Sequence, residues 1–236
     1  MTKVYLTLVI PCYNEGPTFA GSIKKIISVL EKTKKSWEII FVEDKSTDQT
    51  KDLVEELLGK IENASAIFHN RNQGRGKSVS DGILKAKGEI CGFLDVDLEV
   101  SADYIPLFVT EVENGADMAV GKRFYEQTSS SIGRYIASKA YARIVKITLN
   151  LPISDTEAGY KFFRRRSILP ILAKTKDHGW FWDTEICARA VWAGLKISQV
   201  PVLFVKRADK KSTVKVIGDS LDYFVKLIQF RRQNGR

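Results

Sequence analysis

Histidine and cysteine are scarce in this chain of 236 residues: His69 and His178 are the two histidines, and Cys12, Cys91 and Cys187 the three cysteines. Two isolated histidines do not make a metal site, which leaves them surface or supporting roles. An odd number of widely separated cysteines with no CxxC pair excludes a disulfide framework and a zinc site, so the expected setting is reducing and cytosolic. Long hydrophobic runs are missing as well. No apolar stretch reaches the roughly 18 to 20 residues that cross a bilayer, and Met1-Thr2-Lys3 runs straight into a strand-like segment without a secretory leader's apolar region. No Pro/Gly linker, repeat or low-complexity tract divides the chain, so one domain over 1–236 is the economical reading.

What is present is ordinary globular material, 44% hydrophobic and 28% charged, enough for one large α/β core. The net charge of +9 is concentrated. Residues 121–150 hold six Lys/Arg against one acid and residues 206–236 hold nine against three, leaving the rest of the chain at −2. Two such patches favour phosphates, anionic lipid or nucleic acid as partners, or are simply solvated.

Val4 to Ile10 is an apolar run closed by Pro11, and Gly16 to Lys32 repeats apolar residues at helical spacing through Phe19, Ile23, Ile26, Ile27 and Leu30. The same alternation continues. Glu38–Val42 reads as a strand, then Ser46, Thr47 or Asp48 caps a helix carrying Leu53, Val54, Leu57 and Leu58. Ala64–Phe68 is a strand, 76–87 a helix, Ile90–Leu94 a strand, 103–113 a helix and 118–120 a strand. Beyond 121 the expected elements are a helix at 132–149, a strand at 160–163, a helix at 184–193, a strand at 196–204 and a last helix at 214–231. Strands alternating with helices predict a doubly wound, mainly parallel sheet.

Acids cluster where ligands bind in such sheets, beyond the carboxyl ends of strands: Glu43-Asp44, Asp95-Val96-Asp97-Leu98-Glu99 and Asp155. On an extended chain Asp95 and Asp97 face the same way, with Glu99 in reach if the chain stays extended. Such hard ligands select Mg²⁺ or Mn²⁺, commonly completed by phosphate oxygens of a substrate. A helix-capping role is the plain alternative for either Asp.

Four ordered motifs, Val9-Ile10-Pro11-Cys12-Tyr13-Asn14-Glu15, Glu43-Asp44-Lys45-Ser46-Thr47-Asp48, Asn72-Gln73-Gly74-Arg75-Gly76-Lys77 and Asp95-Val96-Asp97, resemble the signature of family 2 glycosyltransferases of the GT-A fold. The second half narrows the resemblance. Gly121-Lys122-Arg123, Asp155-Thr156-Glu157-Ala158-Gly159-Tyr160-Lys161, Gly179-Trp180 to Glu185, and Val200-Pro201-Val202 with Arg207 and Lys211-Ser212 are similar to the dolichyl-phosphate mannose and glucose synthases.

The resemblance implies transfer of a hexose from UDP-glucose or GDP-mannose to a polyprenyl or dolichyl monophosphate. Residues 1–121 would form the nucleotide-sugar half and 122–236 the acceptor half. Pro11, Tyr13, Glu15 and Asp44 would hold the nucleoside, Gly76 and Lys77 the nucleotide, and Asp95, Asp97 and Glu99 a Mg²⁺ or Mn²⁺ on the diphosphate. Arg123, Arg134, Arg207 and Ser212 would bind the acceptor phosphate or cover the donor.

These residue types suit that chemistry. A nucleoside diphosphate leaves only when its developing charge is neutralised, which a carboxylate-bound cation and Arg or Lys accomplish. A lipid phosphate is already an anion and needs positioning more than a base. In-line attack would invert the anomeric carbon. If a base is used, Asp155 and Glu185 are the candidates; ordering the Arg cluster by ion pairing is the other role open to Asp155.

Two helices carry apolar stripes beside cations: Ile136, Ala140, Ile144 and Ile147 with Lys139, Arg143 and Lys146, then Ile217, Leu221, Phe224 and Ile228 ending in Arg231-Arg232. The expected partner is a membrane surface on its cytoplasmic face, directly or through an anchoring subunit; packing on the sheet is the alternative. Trp180, Phe181 and Trp182 read as core.

The chain departs from the family pattern at Lys45, where glycine is common, at Glu99, where glutamine is frequent, and at Lys122, where a small residue is usual. Donor-base preference hangs on the first of these. Among rival classes, a nucleotidyltransferase lacks its Gly-rich turn after the first strand. No nucleic-acid partner is expected either, since no nucleic-acid-binding motif accompanies the basic patches. A family 2 enzyme acting on a soluble or glycan hydroxyl is the nearer alternative.

Overall fold

The computed structural model describes residues 3–125, 132–206 and 216–234, with side chains of 132–138 and 216–221 outside the description. Strand β1, Leu6–Cys12, is buried at every position because it is central, and both its faces are covered. Leu6, Leu8 and Ile10 point to one layer of core and Val9 to the other, the period of two expected of a strand. Around it follow α1 (Phe19–Lys32), β2 (Trp37–Glu43), α2 (Thr50–Leu58), β3 (Ala64–Phe68), α3 (Arg75–Lys85), β4 (Ile90–Leu94), α4 (Ile105–Glu113) and β5 (Met118–Tyr125). The chain ends with α5 (Ile132–Leu149), β6 (Tyr160–Arg164), α6 (Arg165–Leu172), α7 (Trp182–Trp192), β7 (Ile197–Phe204) and α8 (Val216–Asn234).

Among the described residues these strands form one sheet in the order β3-β2-β1-β4-β6-β5-β7. All neighbours are parallel except β6, which runs antiparallel to both β4 and β5. The α/β, mainly parallel expectation therefore holds. Helices α1, α2 and α4 pack on one face around Phe19, Phe41, Phe108 and Phe162, and α3, α6 and α7 on the other around Phe93, Phe163 and Trp182.

Two local differences, and the choice among the three expected caps of α2, have physical causes. Strand β5 continues five residues past the apolar 118–120 run because β7 pairs with it residue for residue to Tyr125. Helix α6 was not expected; it runs through Pro170, and burial of Ile168, Ile171 and Leu172 holds it. The cap of α2 comes from Asp48, whose carboxylate accepts from Thr50 N at 2.9 Å and from Gly16 N at 3.2 Å.

Helices α5, α7 and α8 build a third apolar cluster, with Val145, Leu149, Phe181, Leu227 and Phe230 at its centre. The packed stripe of α5 is Val145 and Leu149 with Tyr141 against them, whereas Ile144 and Ile147 are 40% and 70% exposed. On α8, Phe224 is exposed while Leu227 and Phe230 are buried. Trp182 and Phe181 belong to the core as expected, but Trp180 is half-exposed. All three cysteines are buried and free. Among the described residues no helix is long and apolar enough to cross a membrane.

Candidate active site

The loops after β1 and β2 are laced together. Asn14 N donates to Ser46 Oγ, Glu15 N to Thr50 Oγ1 and Thr47 N to Asn14 Oδ1, at 3.1, 2.9 and 2.8 Å. Pro11 is buried in the strand, Tyr13 is exposed beyond it and Glu15 is half-buried. Glu43 is not available to a ligand: its carboxylate accepts from Ser46 N and Lys45 N and so closes the turn. Lys45 sits in the left-handed region at φ 61°, which is why glycine suits this position and why a side chain here is strained.

Asp44 is buried, and its carboxylate accepts from Gln73 N and Gly74 N, both at 2.8 Å, while His69 Nδ1 lies 2.7 Å away. The other imidazole nitrogen, Nε2, lies 3.1 Å from Asp81, which also pairs with Lys77. Asp44, His69 and Asp81 thus shape the loop that leads into α3. Gly76 has room for no side chain, because a Cβ there would strike the Cβ of Trp182. The tight junction of α3 with α7 is its requirement.

Asp95 and Asp97 stand just past the end of β4. The chain turns there, with Leu98 N donating to Asp95 O and Leu98 at φ 56°, so the extended run that would bring Glu99 alongside is broken. Glu99 N instead donates to Asp97 Oδ1 and Glu99 O accepts from Val205 N. Among the described residues no group of three His, Cys, Asp or Glu side chains converges on one point. A carboxylate pair still fits a divalent cation that takes its remaining ligands from a diphosphate and water. Gly159 lies against Asp95 Oδ2, so any Cβ there would collide with that oxygen. Withdrawal from water raises the Asp95 carboxyl above its ordinary value, against the pull of Arg75 and with a push from Asp97.

Arg75, absent from the sequence-based site, is the hub. Its Nε and Nη2 donate to Asp95 Oδ1 at 2.9 and 2.6 Å, and Nη1 donates to Asp183 at 2.5 Å. The guanidinium lies over the rings of Phe93 and Trp180, 5.2 and 5.3 Å from their centroids. Burial works to discharge it, but Asp183 and Asp95 outweigh burial and raise its pKa. Asp183 in turn pairs with Lys161, whose fully buried ammonium also donates to Ala158 O at 2.6 Å.

On the other flank Arg123 makes a two-pronged pair with Asp155, Nε to Oδ2 at 2.8 Å and Nη2 to Oδ1 at 2.9 Å, and its backbone N–H adds a third bond. Burial would raise the Asp155 carboxyl, yet Arg123 holds it below the usual range. Glu157 lies next to this pair, 3.6 Å from Arg123 Nη2. Glu185 faces elsewhere: it accepts from Lys176 N, Asp177 N and Arg189 Nε and ties down the 175–178 loop. The side chain of Arg134 and all of Arg207 and Ser212 lie outside the described residues. Sequence reasoning missed Arg75, Asp183, Lys161, His69 and Glu157. For Arg75, Asp183, Lys161 and Glu157 the signal was membership in the motifs already quoted, and His69 takes the supporting one of the two roles its isolation left open.

The model of glycosyl transferase family 2 matches residues 7–171. Over 88% of its length the chain is 27% identical to the glycosyltransferase AglD of Haloferax volcanii, and over 85% it is 28% identical to the dolichyl-phosphate beta-glucosyltransferase of Saccharomyces cerevisiae. It spans 34% of the first and 66% of the second, so it corresponds to part of each. Its backbone is similar to glucosyl-3-phosphoglycerate synthase from Mycobacterium tuberculosis, solved with Mn²⁺ and uridine-diphosphate-glucose, at TM-score 0.70 and 17% identity over 97% of this chain and 79% of that one. TarS of S. aureus, residues 1–349, matches at TM-score 0.58 and 17% identity over 97% and 64%. The chain belongs to glycosyl transferase family 2 and has the GT-A fold.

Proposed function

We propose that the enzyme transfers a hexose, with inversion, from UDP-glucose or GDP-mannose to the phosphate of a polyprenyl or dolichyl monophosphate, with a divalent cation bound at the donor. One observation carries this reading: Asp155, Asp183 and Glu185 are all engaged by Arg, Lys or backbone N–H donors, so that of the carboxylates in this part of the site a hydroxyl acceptor would have to take its base from Glu157. A phosphate nucleophile needs none of them. Its oxygen forms the bond to the anomeric carbon while the bond to the diphosphate breaks, and the nucleoside diphosphate leaves with the electron pair.

The residues divide by half. Pro11, Tyr13, Glu15, Gly76 and Lys77 border the nucleotide, with Asp44 setting the loop around it. Asp95 and Asp97 hold Mg²⁺ or Mn²⁺, which supplies neutralising charge to the leaving diphosphate. Arg123, kept rigid by Asp155, addresses the acceptor phosphate together with Arg134, Arg207 and Ser212.

The name of the yeast relative and that of an undecaprenyl-phosphate 4-deoxy-4-formamido-L-arabinose transferase from Pectobacterium atrosepticum, 28% identical over 72% of this chain, support a lipid phosphate. The exposed Ile144 and Ile147 beside Lys139, Arg143 and Lys146 support contact with an anionic membrane surface, and three free thiols support a cytoplasmic one. The test incubates the purified protein and Asp97→Asn with Mn²⁺ or Mg²⁺, a short polyprenyl phosphate and each labelled nucleotide sugar. Label entering the organic phase, and lost in the variant, is the expected result. Label appearing only in water-soluble glycan would reject the lipid acceptor.

A further inference from the structure

Asp155, Asp183 and Asp95 each have a cation at hydrogen-bond distance, whereas Glu157 has a share of one: the nearest among the described residues is Arg123 Nη2 at 3.6 Å, already given to Asp155. Its side chain is 27% exposed, so a ligand in the cleft reaches it. Among the described residues the charged and titratable groups around it are Arg123 on β5, Asp155 and Lys161 on the segment that becomes β6, Asp183 on α7, Tyr141 on α5 and Tyr223 on α8. Arg123 is paired with Asp155 and Lys161 with Asp183, so a charge on Glu157 would be the surplus one in the cluster. The buried hydroxyl of Tyr141 has no hydrogen-bond partner among the described residues and so does not neutralise a charge on Glu157.

We propose that Glu157 is a further acceptor-contacting residue: as a neutral carboxylic acid it donates a hydrogen bond to a phosphate oxygen of the acceptor beside the Arg123 guanidinium, and acceptor affinity falls as the medium becomes alkaline. This rests on the phosphate-acceptor reading above. Burial, together with Asp155 and Asp183, pushes the Glu157 carboxyl up to about 7 against the pull of Arg123 and Lys161. A phosphomonoester loses its second proton near pH ~6, so between about 6 and 7 a nucleophilic dianion meets a carboxyl that still carries its proton. Above that window an ionised Glu157 faces the dianion as a like charge, and binding must first take up a proton. A hydroxyl acceptor would use the same residue in reverse, ionised and as a base, and its transfer rate would rise through pH 7.

The experiment measures farnesyl phosphate binding to the full chain by calorimetry from pH 6.5 to 8.5, in buffers of different ionisation enthalpy, with transfer from labelled nucleotide sugar followed in parallel. Wild-type affinity is expected to fall about tenfold per pH unit above 7, with uptake approaching one proton per ligand. Glu157→Gln, which keeps a donor, loses both the slope and the uptake and binds about thirtyfold tighter than wild type at pH 8.5; Glu157→Ala, which cannot donate, does not gain at low pH. Unchanged slope and uptake in Glu157→Gln would overturn the assignment while leaving the phosphate acceptor standing. A transfer rate that rises through pH 7 and is abolished in Glu157→Gln would make Glu157 a base instead. No binding of farnesyl phosphate by any form, with uridine diphosphate still bound, would sink the phosphate-acceptor reading and this inference with it.

Discussion

Replacing Asp183 by Asn removes one charge from the most enclosed ion cluster among the described residues. Asp183 is 2% exposed and lies between Arg75 and Lys161, whose ammonium has no exposure at all. The variant keeps one acceptor oxygen but removes the negative charge facing both cations and sets an NH2 donor against one of them, leaving Lys161 otherwise to the Ala158 carbonyl and Arg75 to Asp95. Stranding a buried charge in this way costs about 3–5 kcal/mol, where an exposed pair would cost less than about 1. For a chain of this size such a loss lowers Tm by about 10 °C. Urea unfolding of wild type, Asp183→Asn, Lys161→Met and the double variant, at pH 7.5, measures it directly. Removing both partners costs less than the sum of the single losses, by about 1–3 kcal/mol, because neither charge is then stranded opposite the other. A single-variant loss below about 1 kcal/mol, or strict additivity, would refute the argument that this cluster is closed and mutually compensated.

The Lys45→Gly variant relieves a left-handed residue at φ 61° and is expected to raise unfolding stability by about 1 kcal/mol, read from the urea midpoint at constant m-value. Glu157→Gln affects stability with a sign set by its raised pKa. The wild-type carboxyl favours folding fully below its unfolded value near ~4.3 and loses that contribution as pH climbs to about 7. The variant should therefore match wild type at pH 4 and exceed it by about 3 kcal/mol at pH 8, and equal gains at both would contradict the shift. His69→Ala deprives the Asp44 and Asp81 carboxylates of their shared partner and loosens the 72–76 loop. Donor KM should rise about tenfold with kcat within about twofold, His69→Gln recovering part of it; loss confined to kcat would place His69 elsewhere in the reaction.

Residues such as Leu6, Leu8 and Ile10 against Val9, or the Phe19–Leu30 stripe, carry their burial in their spacing, because a strand's period of two and a helix's of 3.6 are local geometry. The sequence alone therefore determined the βα alternation, the mainly parallel sheet, and the placement of Asp44, Asp95 and Asp97 at strand ends. The family was legible as a resemblance, carried by four ordered motifs, and not from periodicity. The antiparallel direction of β6 was not legible, since Tyr160–Arg164 has the same apolar pattern whichever way it runs. Neither was the choice of packed stripe on α5, where Ile144 and Val145 are equally apolar and contact with α7 and α8 decides which of them is covered.

Charge partnership was the larger gap. Arg75 meets Asp183 across 108 positions, Lys161 meets Asp183 across 22, and Arg123 meets Asp155 across 32. Glu185, acidic and in the right motif, turns away to cap a loop, while Glu157 two residues past Asp155 enters the cleft. Spacing along a chain records which side of an element a residue occupies. Which charge it faces, and whether water still reaches the pair, depends on elements brought together from distant positions, and only the tertiary structure decided that.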